Sequence, residues 1–216
     1  MQSERESIIK LCNPKSKVSC HYLIGQNGKI LRLVKEKNIA WHAGKSNWKN
    51  YTNLNQNSLG IELVNKGHKW GYSHYPKKQI LNLINLCKLL IKKYNIKSTN
   101  ILGHSDIAPL RKNDPGEKFP WELLAKKKIG FWHDFQAKKF AKLRKKKIVK
   151  KSDKIIFIKN IKKIGYHISI RNKKSVFVKI TKAFQRHFRS KLINGQLDVE
   201  CLKISINLAK KCSQNT

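Results

Sequence analysis

The sequence predicts an α/β fold, a mixed β-sheet flanked by helices, followed by a small helical domain at the C-terminus. Strand-like apolar stretches alternate with helical ones up to about Ala125, where a Lys-rich segment begins abruptly. From about Ile155, apolar residues return at helical spacing. We therefore expect an N-terminal domain over residues 1–125, a basic linker over 126–153 and a helical domain over 154–216.

The net charge of this chain is +36, from 48 Lys and Arg against 12 Asp and Glu in 216 residues. Such a charge favours polyanionic partners. However, Lys, Ile and Asn are abundant together, as an AT-rich coding sequence would produce, and the charge is spread over nearly the whole chain. Because no recognised nucleic-acid motif accompanies it, we expect no specific nucleic-acid partner.

Few features of the sequence indicate membrane association or a particular cellular compartment. No run approaches the ~20 apolar residues of a membrane span, and residues 1–12 lack the apolar core of a secretory signal. The chain as written is therefore expected in the cytoplasm, or in the periplasm if its true N-terminus is longer. Five cysteines without a CxxC pair suit a reducing compartment. We expect a monomer, although nothing in the sequence sets the oligomeric state.

Local patterns predict the individual elements of the N-terminal domain. Ser3 is an N-cap with Glu6 in capping-box position, which predicts a short helix over residues 3–12. Asn27-Gly28 between two apolar stretches predicts a hairpin. Further predicted elements are a strand in "SLGIELVN", a long helix in "YPKKQILNLINLCKLLIKKY" with Pro76 in its first turn, and a short strand, "NILGH", that leads to His104.

Two stretches of the tail predict helices. "VKITKAFQRHFRSKL" has apolar residues near helical spacing, and "DVECLKISINLAKK" would begin with Asp198 as its cap. The segment between the domains, dense in Lys, is interpreted as a solvated linker rather than a dedicated binding patch.

The stretch "ILGHSDIAPLRKNDPG" carries the most chemistry. Pro115-Gly116 forces a turn, so a loop that leaves a strand and doubles back can bring His104 and Asp114 to one point. A His nitrogen and a carboxylate oxygen that converge make half of a zinc site. The alternative is a solvated surface loop in which His104 is incidental.

Two other charged residues are candidates for catalysis. Glu62 lies in an otherwise apolar strand, where burial would raise its pKa and suit a general base. Taken alone, however, the residue is better interpreted as a carboxylate that pairs with one of the many lysines. Lys112 precedes Asp114 by two residues, so in an extended loop both side chains point the same way. A cation there can stabilise a developing oxyanion.

Two histidines remain. His42, between Trp41 and Gly44, has the surroundings of a ligand-contacting pocket wall, or it is a surface loop residue. His21 lies within a strand and is either a ligand or a hydrogen-bonded core histidine, and the core interpretation is favoured.

Four stretches, in this order, resemble the type-2 N-acetylmuramoyl-L-alanine amidases, zinc hydrolases that also include the anhydromuropeptide-recycling amidases and the peptidoglycan recognition proteins. They are "VSCHYLIGQNGKILRLV", "AWHAG", "NSLGIELVN" and "GHSDIAPLRKNDPG…FPW", within residues 3–125. The tail more weakly resembles the three-helix peptidoglycan-binding module through "TKAFQRHF" and "NGQLD", with Asp198 and Cys201 where that module usually has Gly and Thr.

The resemblance implies a Zn²⁺ cofactor with His104 and Asp114 as ligands and a peptidoglycan or muropeptide substrate. It makes Glu62 the general base, Lys112 the oxyanion stabiliser and His42 a substrate contact. The reaction it implies is hydrolysis of the amide between N-acetylmuramic or anhydromuramic acid and L-alanine. The alternative is a truncated, catalytically inactive peptidoglycan-binding protein.

The first zinc ligand of that family is a His that ends an apolar strand before the first helix, whereas this chain begins at the helix. We therefore expect that strand and its His to be absent, through a late start codon or gene decay. His21 is a poor substitute, because the family places the position of Cys20 towards the site, and strand alternation then turns His21 away.

Overall fold

The computed structural model describes residues 3–136, 140–144, 146–148, 150–168 and 174–214. They form two compact units, one from Met1–Ser46 with Tyr51–Ile96 and the other from Asn47–Asn50 with Lys97–Thr216. The boundaries expected at residues 125 and 153 stay a prediction. In the segment expected to be a linker, Ile129 and Phe131 are buried, whereas most of the lysines are exposed.

Helices and short strands alternate along the chain. The strands are β1 (Tyr22–Ile24), β2 (Ile30–Arg32), β3 (Asn47–Trp48), β4 (Tyr51–Thr52) and β5 (Ile61–Leu63). The helices are α1 (Glu4–Cys12), α2 (Lys77–Tyr94), α3 (His104–Ile107), α4 (Trp121–Lys126), α5 (Lys151–Ile164), α6 (Lys174–Phe188) and α7 (Val199–Gln214). None of these helices, as far as the chain is described, is long and apolar enough to cross a membrane.

The sheet of the first unit is mixed, in the order β2-β1-β5. Strand β1 pairs antiparallel with β2, with Leu23 opposite Leu31, and parallel with β5, with Leu23 opposite Glu62. The hairpin turns at Gly28, whose φ of +91° suits glycine, and Gly25 N–H donates to the Lys29 carbonyl at 2.9 Å. The predicted hairpin and the mixed sheet are confirmed.

Two helices pack on this sheet. Ser3 caps α1 by accepting the Glu6 N–H at 3.2 Å, and Leu11 packs with sheet residues in a buried cluster. Helix α2 buries an apolar face and fixes the strand ends through Gln79, whose Nε2 donates to the carbonyls of Ile24 and Val64 at 2.9 and 3.1 Å. The predicted helices α1 and α2 are therefore confirmed, including Ser3 as N-cap.

The second unit contains the helical tail, formed by α5, α6 and α7 around buried residues such as Phe157, Phe184 and Leu208. Asp198 caps α7 by accepting the Cys201 N–H at 2.8 Å, and it also accepts from Arg189 Nη2 at 2.8 Å. The predicted helical tail and its Asp198 cap are confirmed.

The strand predicted in "NILGH" is wrong. Ser98–Asn100 form one 3₁₀ turn, in which Ile101 N–H donates to the Ser98 carbonyl at 3.3 Å. His104 then begins the four-residue helix α3. The backbone hydrogen bonds of this stretch are local, so a short apolar run was not enough to make a strand.

Candidate metal and active site

The loop 101–116 brings its His and its second Asp together. His104 Nδ1 lies 3.0 Å from Asp114 Oδ2, and Ser105 N–H donates to the Asp114 carbonyl at 2.9 Å. The His104 side chain is 18% exposed and that of Asp114 is 59% exposed, so the pair is reachable from solvent. Asp114 precedes a cis Pro115. The convergence that the turn residues suggested is present.

Arg111 is a member of this cluster that the sequence did not single out. Its Nη2 lies 3.4 Å from His104 Nε2. A guanidinium only donates, so Nε2 accepts and, in a neutral ring, Nδ1 carries the hydrogen that points at Asp114. The available signal was the Arg111-Lys112 pair, of which only the lysine was assigned a role.

Lys112 acts on Asp114 through its charge. Although its side chain is reachable from solvent, Asp114 is partly desolvated by the surrounding protein, which would raise its pKa. The hydrogen bond and charge of His104, together with the charge of Lys112, outweigh this effect and lower that pKa. The carboxylate is therefore ionised at neutral pH. Lys112 N–H donates to the Ala108 carbonyl at 3.0 Å, which closes the turn before Lys112. The expected alignment of the Lys112 and Asp114 side chains stays a prediction.

A second cation, Arg186 of α6, also lies near the loop. Burial lowers the pKa of Arg186, and the negative charges of Glu117 and Asp114 oppose that effect. Nothing in the sequence around Arg186 indicates that this residue of the tail will lie near Asp114.

The donor set of the loop suits zinc in part. An imidazole nitrogen and a carboxylate oxygen at one point are ligands that zinc accepts, but catalytic zinc sites hold three protein ligands. Among the described residues, no group of three His, Cys, Asp or Glu side chains is placed to hold a metal ion. His104 and Asp114 could therefore supply two of the three donors of such a site.

Glu62 occupies the middle of β5, half-buried and paired with Leu23. The charge of Glu62 acts on Cys20, a buried thiol of the same unit. Burial, together with the charge of Glu62, raises the pKa of Cys20 to about 12, so this thiol stays protonated beside the carboxylate. Cys20 therefore acts as a small core residue rather than as a nucleophile.

Both ring nitrogens of His42 lie within hydrogen-bonding distance of neighbouring groups. Its Nδ1 donates to the Ala40 carbonyl at 2.9 Å, and its Nε2 lies 3.0 Å from Ser58 Oγ. A Cβ added at Gly60 would lie 2.3 Å from His42 Cγ, so the ring packs directly on Gly60. Because residues two apart on a strand share a face, this contact favours His42 on the face of β5 that carries Glu62.

His21 is a core residue. It is 1% exposed, its Nδ1 accepts the Gly60 N–H at 3.0 Å, and its Nε2 donates to the Asn38 carbonyl at 3.0 Å. Both ring nitrogens are used inside the fold. The interpretation of His21 as a hydrogen-bonded core histidine is confirmed.

The site residues therefore fall into two sets. Glu62 and His42 belong to the first unit, and His104, Lys112 and Asp114 belong to the second. The structure brings together His104, Lys112 and Asp114. For Glu62 and His42 the contact of the His42 ring with Gly60 favours a shared face, and the roles assigned from the sequence stay predictions.

Similarity to known proteins points to one family. Residues 1–117 match the profile of the family described as N-acetylmuramoyl-L-alanine amidase. The chain is 38% identical over 210 residues to the N-acetylmuramoyl-L-alanine amidase AmiD of Escherichia coli K12, with 92% of this chain and 76% of that protein covered. It is 38% identical over 107 residues to the 1,6-anhydro-N-acetylmuramyl-L-alanine amidase AmpD of Haemophilus influenzae, covering 49% of this chain and 56% of that protein.

Solved structures of such amidases resemble this chain over almost its whole length. The complex of AmiD from E. coli with the substrate anhydro-N-acetylmuramic acid-L-Ala-D-gamma-Glu-L-Lys matches with a TM-score of 0.87 and 36% identity, covering 97% of this chain and 85% of AmiD. AmpDh3 from Pseudomonas aeruginosa, in complex with anhydromuramic pentapeptide, matches with a TM-score of 0.85 and 32% identity, covering 97% of this chain and 88% of AmpDh3.

Proposed function

Because the chain belongs to the N-acetylmuramoyl-L-alanine amidase family, we propose that it hydrolyses the amide between N-acetylmuramic or anhydromuramic acid and L-alanine in peptidoglycan or muropeptides. The observation that carries the proposal is the His104–Asp114 pair, 3.0 Å apart. The substrates in the AmiD and AmpDh3 complexes are anhydromuropeptides, which favours fragments of that kind.

The proposed cofactor is Zn²⁺, with His104 and Asp114 as two of its ligands. When bound, zinc supplies Lewis-acid chemistry, polarising a carbonyl and lowering the pKa of water. The described residues do not supply a third protein ligand. The lowered pKa of Asp114 keeps its carboxylate in the ionised form that a cation needs.

The chain's own residues would share the remaining work. Glu62 is proposed to take the proton of the attacking water and to deliver a proton to the leaving amine of L-alanine. Lys112, whose charge already acts on Asp114, is proposed to stabilise the oxyanion that develops on the amide carbonyl. His42, fixed by Ala40 and Ser58, is proposed to contact the substrate.

Glu62→Gln tests this assignment. Gln has the shape of Glu but cannot accept a proton, so we expect the release of stem peptide to fall by about 10²–10⁴-fold with little change in bound zinc. The measurement is digestion of anhydromuropeptides and of isolated sacculi, followed by mass spectrometry, with metal analysis of each protein. The matched control is Glu122→Gln on the exposed side of α4, which should keep full activity. Undiminished release by the Glu62 variant would refute the assignment of the base.

A second candidate function is peptidoglycan binding without catalysis. It is favoured by the lack of a three-ligand cluster among the described residues. A protein of this kind would sediment with sacculi but release no peptide at any zinc concentration.

A further inference from the structure

Asp106 is a buried carboxylate that the proposed reaction does not use. It is 1% exposed and accepts three hydrogen bonds: from Gly103 N–H at 2.8 Å, from His187 Nδ1 at 2.7 Å and from the Tyr166 hydroxyl at 2.5 Å. A buried carboxylate is costly unless its oxygens are satisfied, and here both oxygens are. Asp106 lies two residues after His104.

Two of the three donors come from the helical tail. Tyr166 follows α5 and His187 lies in α6, and both are almost completely buried. The ring of Tyr166 packs edge-on against Trp48 at 5.1 Å, and the ring of His187 stacks on Trp121 at 3.9 Å. Because neither ring can turn without losing these contacts, the two donors hold Asp106 in one place.

Short contacts lead from Asp106 to both proposed metal ligands. Gly103 donates to Asp106 and lies against the residue after Asp114, since an added Cβ would be 2.6 Å from Pro115 Cδ. The amide of Ser105, between His104 and Asp106, donates to the Asp114 carbonyl at 2.9 Å. A shift of Asp106 would therefore move the backbone on both sides of the His104–Asp114 pair.

We propose that Asp106, Tyr166 and His187 are positioning residues, through which the helical tail holds the loop 101–116 in the shape that brings His104 and Asp114 together. The tail is then part of the machinery of the site, in addition to the peptidoglycan binding that its sequence resemblance implies. The description of the two residues as metal ligands rests on the proposed function. Residues that hold ligands in this way commonly change metal affinity by about 10–100-fold when removed.

The decisive variant is Tyr166→Phe in the full chain. It removes one oxygen and keeps the ring that packs on Trp48, so the fold should survive. We expect amide hydrogen exchange at Gly103 and Ser105 to accelerate by about tenfold, while exchange within α5 and α7 stays at the wild-type rate. Zinc affinity, measured by titration calorimetry, should fall by roughly tenfold.

Tyr22→Phe is the matched control. Tyr22 is a buried tyrosine of the first unit whose hydroxyl donates to the carboxylate of Glu36. This variant also loses a tyrosine hydroxyl, but it should leave amide hydrogen exchange at Gly103 and Ser105 unchanged. Asp106→Asn serves as a second variant, with a larger acceleration expected because three donors then face a side chain with only one acceptor oxygen.

Two results would overturn the proposal. One is unchanged exchange at Gly103 and Ser105 in both Tyr166→Phe and Asp106→Asn. The other is an acceleration of equal size in the loop and in α5 and α7, since that would be a general loss of stability. The exchange measurement needs no zinc, so it decides the positioning role even if the wild-type chain binds no metal or lacks amidase activity.

Discussion

His21 and His187 are buried to almost the same extent, 1% and 3% exposed, yet they are held in different ways. His21 bonds only to main chain, the Gly60 N–H and the Asn38 carbonyl. His187 bonds to a side chain, the carboxylate of Asp106, which lies 81 residues away along the chain. Within the described residues its Nε2 has no partner.

The difference between these two histidines reflects two ways in which the fold is held in place. Around β1 and β5, strand pairing sets the geometry, and side chains add to a frame that the backbone already fixes. Around loop 101–116, most backbone hydrogen bonds close short turns and one joins Ser105 to Asp114 within the loop. Contacts of Asp106 with side chains distant in the sequence then hold the loop in place. We therefore expect substitutions near the strands to change stability most, and substitutions near the loop to change metal binding most.

The largest expected effect comes from placing a methyl group in each region. Gly60→Ala would bring Cβ within 2.3 Å of the fixed His42 ring, whereas Gly103→Ala would meet Pro115 Cδ at 2.6 Å. We expect Gly60→Ala to lower the free energy of unfolding by roughly 2–3 kcal/mol and Gly103→Ala by about 1–2 kcal/mol. Urea denaturation measures both. A larger loss of stability for Gly103→Ala would contradict the contrast between the regions.

His21→Phe should have the next largest effect. Phe keeps an aromatic ring at this position but leaves the Gly60 N–H and the Asn38 carbonyl without their partner. This loss should cost about 2 kcal/mol of unfolding free energy. Bound zinc, measured by metal analysis, should not change. His187→Phe is the counterpart in the other region and should reduce zinc affinity. Loss of zinc from the His21 variant would show that His21 is a ligand after all.

Glu36 gives the smallest effect and the clearest pH dependence. Hydrogen bonds from Lys93, Tyr22 and Tyr94 lower the pKa of Glu36 from 4.5 to about 2. Since the folded pKa is the lower one, the stabilisation is complete above pH 4.5 and is lost as the pH falls towards 2.

Glu36→Gln should therefore lower the free energy of unfolding at pH 7 by only about 1–2 kcal/mol, because Lys93 is largely exposed and its charge is screened. The difference from wild type should shrink between pH 4.5 and 2 in urea titrations at several pH values. A constant difference across that range would mean that the carboxylate is not ionised preferentially in the folded state. Exchange in loop 101–116 should be unaffected at pH 7.

The elements that the sequence predicted well are those with a strong local pattern. The hairpin followed from Asn27-Gly28, helix α1 from its Ser3 cap, and α2 from Pro76 and a regular apolar face. The strand expected before His104 is not formed: Ser98–Asn100 make a 3₁₀ turn, and Ile101 and Gly103, although extended, belong to no strand of the described structure. Nothing within the stretch itself could distinguish a turn from a strand.

The same limit applies to the site. The approach of His104 and Asp114 followed from the turn at Pro115-Gly116, which is local information. The role of Asp106 could not be predicted locally, because its two side-chain donors lie 60 and 81 residues later in the chain. Arg186 was missed for the same reason. A single sequence does not show which residues of the helical tail will contact loop 101–116.

The hydrogen bond between Asp106 and His187 also determines which parts of the protein can fold first during translation. Loop 101–116 leaves the ribosome well before its anchors, and 81 residues separate the carboxylate from the imidazole. At the usual 5–20 residues per second of translation, that interval is roughly 4–16 s. During it the strands of the first unit can pair, but the loop lacks His187 throughout and Tyr166 until 60 residues after Asp106 have been added. The nascent chain therefore passes through a stage with a formed sheet and an unfixed loop, and the site is completed only when α6 has been synthesised.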